Sequence, residues 1–339
     1  MTHPSLFAVG LLATGPLSAP PPPPLTPPVW WQRAIAALQT ATERSLSQSA
    51  TPTGMIVREP SVEFARAEPI APGASRTVAP LTLPVATRRP ATAPAPSSGA
   101  QLYQQRRAAL AAGRLYTHLP TDSFASTWQT AAAQPTHQQW QQLLHAEARA
   151  ITRGQGRNRL SVLLGDSLSQ WFPVPLLPGG AFWLNQGISG ENSQQIRQRL
   201  ASLRETQPST FYVMAGINDL RQGASDTVIL ANLRAIAREL RQQHPDAQIV
   251  LQSLLPTRRP DLDNARIQRL NQALRQIARE ERVSYLHLQP LFADADGQLR
   301  AELTTDGLHL NRQGYEVWQT ALQAAEQQLR QRQALIAQR

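Results

Sequence analysis

Four short segments carry side chains that could act together in acyl transfer. In Gly165-Asp166-Ser167-Leu168 a serine follows the apolar run at 160–164 (LSVLL), and the glycine permits a sharp turn there. A serine so placed can present both its hydroxyl and its own backbone N–H to a substrate. The segment Asn185-Gln186-Gly187-Ile188-Ser189-Gly190 is rich in small residues, so its backbone can approach a bound group and aim the Gly187 N–H inward. Gly216-Ile217-Asn218-Asp219 follows the hydrophobic run at 211–214 (FYVM) and puts the Asn218 amide where a developing oxyanion needs a donor. Asp306-Gly307-Leu308-His309 sets a carboxylate three residues before a histidine. That spacing lets Asp306 accept from one imidazole nitrogen while the other takes a proton from Ser167. Taken singly, each segment has a plainer reading. Asp166, Ser167 or Asn218 would cap a helix, Gly187 would mark a turn, and His309 would be a surface residue.

The elements around these segments must bring them to one place. Apolar runs at 160–164, 183–188, 211–214, 248–251 and 284–288 read as short strands, with helical patterns near 194–204, 226–243, 263–282 and 312–332 between and after them. Strands alternating with helices make a parallel sheet covered on both faces, because parallel neighbours need right-handed crossovers. Chemistry in such a sheet sits at the carboxyl ends of the strands. Each of the first three segments follows such an end.

In this order and at these strand ends, the four segments resemble the SGNH (GDSL) hydrolase family. Its serine, glycine, asparagine and histidine would fall on Ser167, Gly187, Asn218 and His309, with Asp306 completing the triad. The resemblance spans about residues 159–324. It implies a three-layer α/β/α sandwich with a five-stranded parallel sheet, flavodoxin-like in arrangement. It also implies a serine esterase acting through a Ser-His-Asp triad and an acyl-enzyme on lipid, sugar or small acyl esters, without cofactor or metal. Ser167 N–H, Gly187 N–H and the Asn218 side chain would bind the oxyanion. An acyltransferase or thioesterase using the same triad, or a catalytically silent binding module, is the alternative. No G-x-S-x-G elbow is present, which argues against the ordinary α/β-hydrolases, and no glycine-rich phosphate loop follows the first strand.

The rest of the chain reads differently. Residues 1–100 hold most of the 28 prolines, with Ala, Thr and Ser around them and no lasting apolar periodicity, so they are expected to be disordered or extended. A protein partner could dock on the proline run in 19–28, which also reads as a stiff spacer. Residues 101–154 form a helical lead-in, with patterns at 101–113, 121–133 and 135–153, ahead of a hydrolase domain at 155–339. His137, His145 and Glu147 are expected on the helix surface, because no second cluster completes a metal site. The net charge of +10, carried entirely by arginine on the basic side, is dispersed along helices and does not point to nucleic acid. With no cysteine, thiol catalysis and disulfides are excluded while the compartment stays open, the cytoplasm slightly ahead of export. The apolar run 6–13 is too short to span a bilayer.

Overall fold

The computed structural model describes residues 94–337. The expectations placed on the proline-rich stretch before residue 94 lie outside the described residues. A five-stranded, wholly parallel sheet runs in the order β2-β1-β3-β4-β5, with β1 Leu160–Gly165, β2 Phe182–Gly187, β3 Thr210–Met214, β4 Gln248–Gln252 and β5 Ser284–Leu286. β1 is hydrogen-bonded to β2 on one side and β3 on the other, with Gly165 in register with Gly187 and Met214. The chemistry-bearing ends of three strands therefore lie side by side.

Alternation along the strands divides the interior in two. Val162, Leu164, Phe211 and Val213 face a core built with the helices Asp226–Gln243 (α6) and Asn264–Glu280 (α7). Leu163, Tyr212 and Met214 face the opposite core, filled by Phe172, Phe292 and Trp318 of the last helix, Arg312–Ala337 (α8). A third apolar cluster joins Leu102 and Ala109 of helix Gly99–Ala111 (α1) with Trp140, Leu143 and Leu144 of helix His137–Gly154 (α2), and it closes on Ile188 just beyond β2. The lead-in is thus packed against the end of β2, within the second motif.

Local chemistry explains where several elements start and stop. Ser225 and Asp263 cap α6 and α7, while Thr136 forms a reciprocal capping box with Gln139 at the start of α2. The helix expected at 121–133 is reduced to the single turn Ala125–Trp128, because Phe124 adopts a left-handed conformation and Trp128 turns back to donate its indole N–H to Ser123 O. The helix expected at 194–204 is split into Ser193–Gln198 (α4) and a 3₁₀ turn, Leu200–Leu203, whose two leucines are both buried at i, i+3 spacing. β5 ends at Leu286 rather than Leu288, since the Leu288 amide turns inward to Ser253 Oγ.

Glu326, almost fully buried on α8, fastens that helix to the sheet. Its Oε1 accepts from Ser161 Oγ at 2.7 Å and from Tyr212 Oη at 3.1 Å, while Arg159 lies 3.4 Å from Oε2. Removing the acceptor strands two buried hydroxyls. Glu326→Ala is therefore expected to lower the unfolding free energy by about 3 kcal/mol in chemical denaturation, whereas a loss below about 1 kcal/mol would show the network to be dispensable.

Candidate active site

The turn that leaves β1 shapes the nucleophile segment. Asp166 Oδ1 accepts the Leu168 N–H at 3.0 Å and so caps a one-turn helix, Ser167–Gln170 (α3), with Ser167 as its first residue. One tripeptide thus both caps the helix and sets the Ser167 hydroxyl at its first position. Ser167 is mostly buried, and its N–H has no intramolecular partner among the described residues.

The loop after β5 brings the base to the serine. Ser167 Oγ lies 3.1 Å from His309 Nε2, and His309 Nδ1 lies 2.7 Å from Asp306 Oδ2. Asp306 Oδ1 also accepts the backbone amides of Leu308 and His309, at 3.0 and 2.7 Å. The loop is closed by the bridge between Thr304 and Leu310 and turned by Gly307 at φ +83°. With the Nδ1 proton shared with Asp306, Nε2 is the basic nitrogen facing the hydroxyl. Burial, the largest single influence, pushes the Asp306 carboxyl up, but the imidazole and the two amides together outweigh it and hold the group down at about 2. The stability this carboxylate contributes is present above its unfolded pKa and lost only as the pH falls through about 2. Exposure of Asp306 and His309, 46 and 39%, leaves the triad open to water.

The second motif is arranged otherwise than expected. In the parallel register the Ile188 amide bonds Gly165 O, and by alternation the Gly187 amide points away from β1, where it donates to Asn185 Oδ1 at 3.0 Å. Gly187 serves close packing instead. A Cβ there would sit 2.7 Å from Gln170 Cα and 2.8 Å from Asp166 O. Three residues on, Gly190 has φ +85°, open space around it and an N–H without a partner among the described residues.

Asn218 is buried in helix Ile217–Arg221 (α5) and its Nδ2 donates to Glu191 O at 3.0 Å, so its amide lies against the 190–191 turn. Arg221 Nη1 donates to Asn218 Oδ1 at 3.3 Å and fixes which end of the amide is the donor. The Glu191 carboxylate is buried between Arg199 Nε at 2.7 Å and His137 Nε2 at 2.9 Å. The expectation of ordinary surface residues on α2 needs correction at Glu147, which is buried in an ion pair with Arg106 because α1 packs over it. Among the described residues no group of three His, Asp or Glu side chains is arranged to hold a metal ion.

Asp166 and Leu168, the chain neighbours of Ser167, join Met214, Ala215, Ile217, Leu254 and Leu308 in lining a cavity of about 10 Å³, room for roughly one water-sized group.

A family model described as the GDSL-like lipase/acylhydrolase family matches residues 122–317. The platelet-activating factor acetylhydrolase IB subunit alpha1 of Pongo abelii is 28% identical over 189 residues, 52% of this chain and 78% of that protein. Its Homo sapiens counterpart is 27% identical over the same span of 189 residues, 52% of this chain and 78% of that one. A solved structure from Streptococcus pneumonia, named for platelet activating factor, superposes with a TM-score of 0.50 at 24% identity, over 57% of this chain and 94% of that one.

Asp166 supplies a pH test of the site's construction. It is fully buried, one oxygen has no partner, and burial raises its carboxyl to about 6 against the help of the Leu168 amide and the nearby His309. A carboxyl raised on folding favours the native state below its unfolded pKa, and that contribution is lost as the pH rises through about 6. Asp166→Asn is therefore expected to gain stability relative to the parent as the pH goes from 4 to 8. Thermal melts at both values check it, and a difference independent of pH would refute the buried charge.

Proposed function

Because the chain belongs to the GDSL-like lipase/acylhydrolase family, we propose that it is a serine esterase specific for short acyl groups, acetyl first among them. The observation that carries this reading is the unbroken chain from Ser167 Oγ through His309 to Asp306; the small cavity lined by Asp166, Leu168 and further apolar side chains, with room for little more than a methyl group, supports its short-acyl part. Two relatives are named as acetylhydrolases, which agrees with the size of that cavity.

In this reading His309 Nε2 takes the Ser167 proton as Oγ attacks the acyl carbonyl, and Asp306 holds the resulting imidazolium. The carbonyl oxygen becomes an oxyanion bound by the Ser167 N–H, the Asn218 side chain and the Gly190 N–H, the last taking the place expected of Gly187. Collapse breaks the bond to the leaving alcohol, which receives the proton from His309. Water, with His309 again as base, then cleaves the acyl-serine ester and restores Ser167. The exposure of the triad favours water as the acceptor over a second bound alcohol.

Hydrolysis of p-nitrophenyl esters of increasing chain length tests both parts. Acetate is expected to be the best substrate, with kcat/KM falling about tenfold or more by butyrate, since an ill-fitting methylene costs about 1–3 kcal/mol. Ser167→Ala should abolish turnover. A flat or rising chain-length profile would remove the acetyl assignment, and an active Ser167→Ala protein would remove the serine mechanism. Asn218→Ala is expected to lower kcat on the order of 10²–10³-fold as an oxyanion donor, and unchanged turnover in the folded variant would take Asn218 out of that role.

A further inference from the structure

Among the described residues β2 is an edge strand, and no sixth strand bonds its outward carbonyls. Trp183 O and Asn185 O, two residues apart, face that edge. The lead-in satisfies them with side chains: Thr117 Oγ1 donates to Trp183 O at 2.5 Å and Arg106 Nη2 to Asn185 O at 2.8 Å. Thr117 shows that a neutral donor suffices to cover such an edge. Arg106 is nevertheless a fully buried guanidinium, held by Glu147 through Nε–Oε1 at 3.0 Å and Nη2–Oε2 at 2.5 Å, with the rings of Tyr116 and Trp140 at 4.4 and 5.7 Å. What the planar, doubly anchored fork adds over a hydroxyl is a fixed position for the peptide it touches.

That peptide is a junction of the active site. The Asn185 side chain donates from Nδ2 to Ser169 O, in the helix that begins with Ser167, at 2.7 Å, and accepts the Gly187 N–H at Oδ1. The next carbonyl, Gln186 O, is held by Arg199, whose guanidinium also binds Glu191. Glu191 in turn meets His137 of α2 and, through its own carbonyl, Asn218. The lead-in thus holds the segment 185–191 near both ends, and that segment lies between the nucleophile helix and the oxyanion asparagine.

We propose that Arg106 is a positioning residue for ester hydrolysis: through Asn185 it sets the spacing between the Ser167 helix and the Gly190 turn. This rests on the esterase reading of the site. Arg106 stands upstream of residues 122–317, so the hydrolase core is completed by a residue outside the span shared with the family.

Removing the arginine alone would strand the Glu147 carboxylate, so the test replaces both charges with apolar groups of similar length, Arg106→Met with Glu147→Leu, in the full chain. The double variant leaves Asn185 O without its donor but strands no charge, so it is expected to fold and to melt only a few degrees below the parent. Its kcat on p-nitrophenyl acetate should fall about 10- to 100-fold with KM within about twofold, the pattern of misplaced catalytic groups rather than lost binding. Amide hydrogen exchange should quicken across 185–191 while β3 and β4 stay protected. A kcat within about twofold of the parent, or unchanged exchange across 185–191, overturns the proposal. Should the parent show no turnover that depends on Ser167, the esterase reading fails by itself. Exchange across 185–191 then decides alone whether Arg106 holds the segment.

Discussion

The candidate site depends on how closely the one-turn helix bearing Ser167 can lie against β1 and β2, and two positions without side chains allow that approach. A Cβ at Gly187 would collide with the Gln170 backbone and approach Asp166 O to 2.8 Å, and a Cβ at Gly165 would meet Ser169 Oγ in the Ser167 helix as well as Met214 O, the latter at 2.6 Å. The Gln170 backbone and the Met214 carbonyl cannot swing away as a side-chain tip can. Only with both glycines in place can Asn185 Nδ2 reach Ser169 O, and only then does Ser167 meet the histidine delivered by the loop after β5. These two glycines are required for close packing, whereas Gly190 and Gly307 are required for positive φ.

Carboxylates with opposite surroundings divide the labour around that contact. Asp306 is half exposed and accepts from an imidazole and two amides, which keeps it ionised to about pH 2 and ready to oppose a positive His309. Asp166, next to the nucleophile in the chain, is buried with a single amide donor and is driven up to about 6. Asp219 is buried too, but it receives both the N–H and the hydroxyl of Ser193 and thereby ties α5, with Asn218 on it, to the start of α4. Asp306, partly exposed and given three donors, is held as a charge, whereas burial drives Asp166 toward its neutral form.

Much of this is legible in the residues themselves. The runs LSVLL and FYVM are buried on both faces of a parallel sheet, which is why continuous apolar stretches rather than alternating ones mark them as strands. Ser167, Asp306 and His309 meet because a carboxylate three residues before a histidine in a glycine turn can fold back on its ring whatever the surrounding fold. The part expected of Gly187 fails because the direction of a strand amide depends on register, and register with β1 is a property of the pairing and not of the local string. The Arg106–Glu147 pair is invisible in the sequence for a related reason. Its partners stand 41 residues apart, and a glutamate followed by alanine and arginine looks like any solvated helix face until α1 is laid across it. The helix expected from residue 121 starts only after Phe124, and no residue near it advertises the left-handed turn there.

The proposed oxyanion donors are held before any substrate arrives, which bears on where the catalytic advantage would come from. Asn218 is clamped at both ends of its amide, by Arg221 at the oxygen and Glu191 O at the nitrogen, leaving one N–H to spare. Gly190 belongs to a turn closed by the Glu191 amide on Ile188 O and braced by Gln170, which takes the Ser189 N–H and hydroxyl at 2.6 Å each. Donors fixed in this way need no reorganisation as charge develops on the carbonyl oxygen, and fixed dipoles at a partly buried site act more strongly than mobile water. The bracing has its own requirement. Gln170 lies on the same helical turn as Ser167, so the nucleophile and the turn that would bind the oxyanion move as one body, and any substitution that shifts α3 against β2 displaces both together.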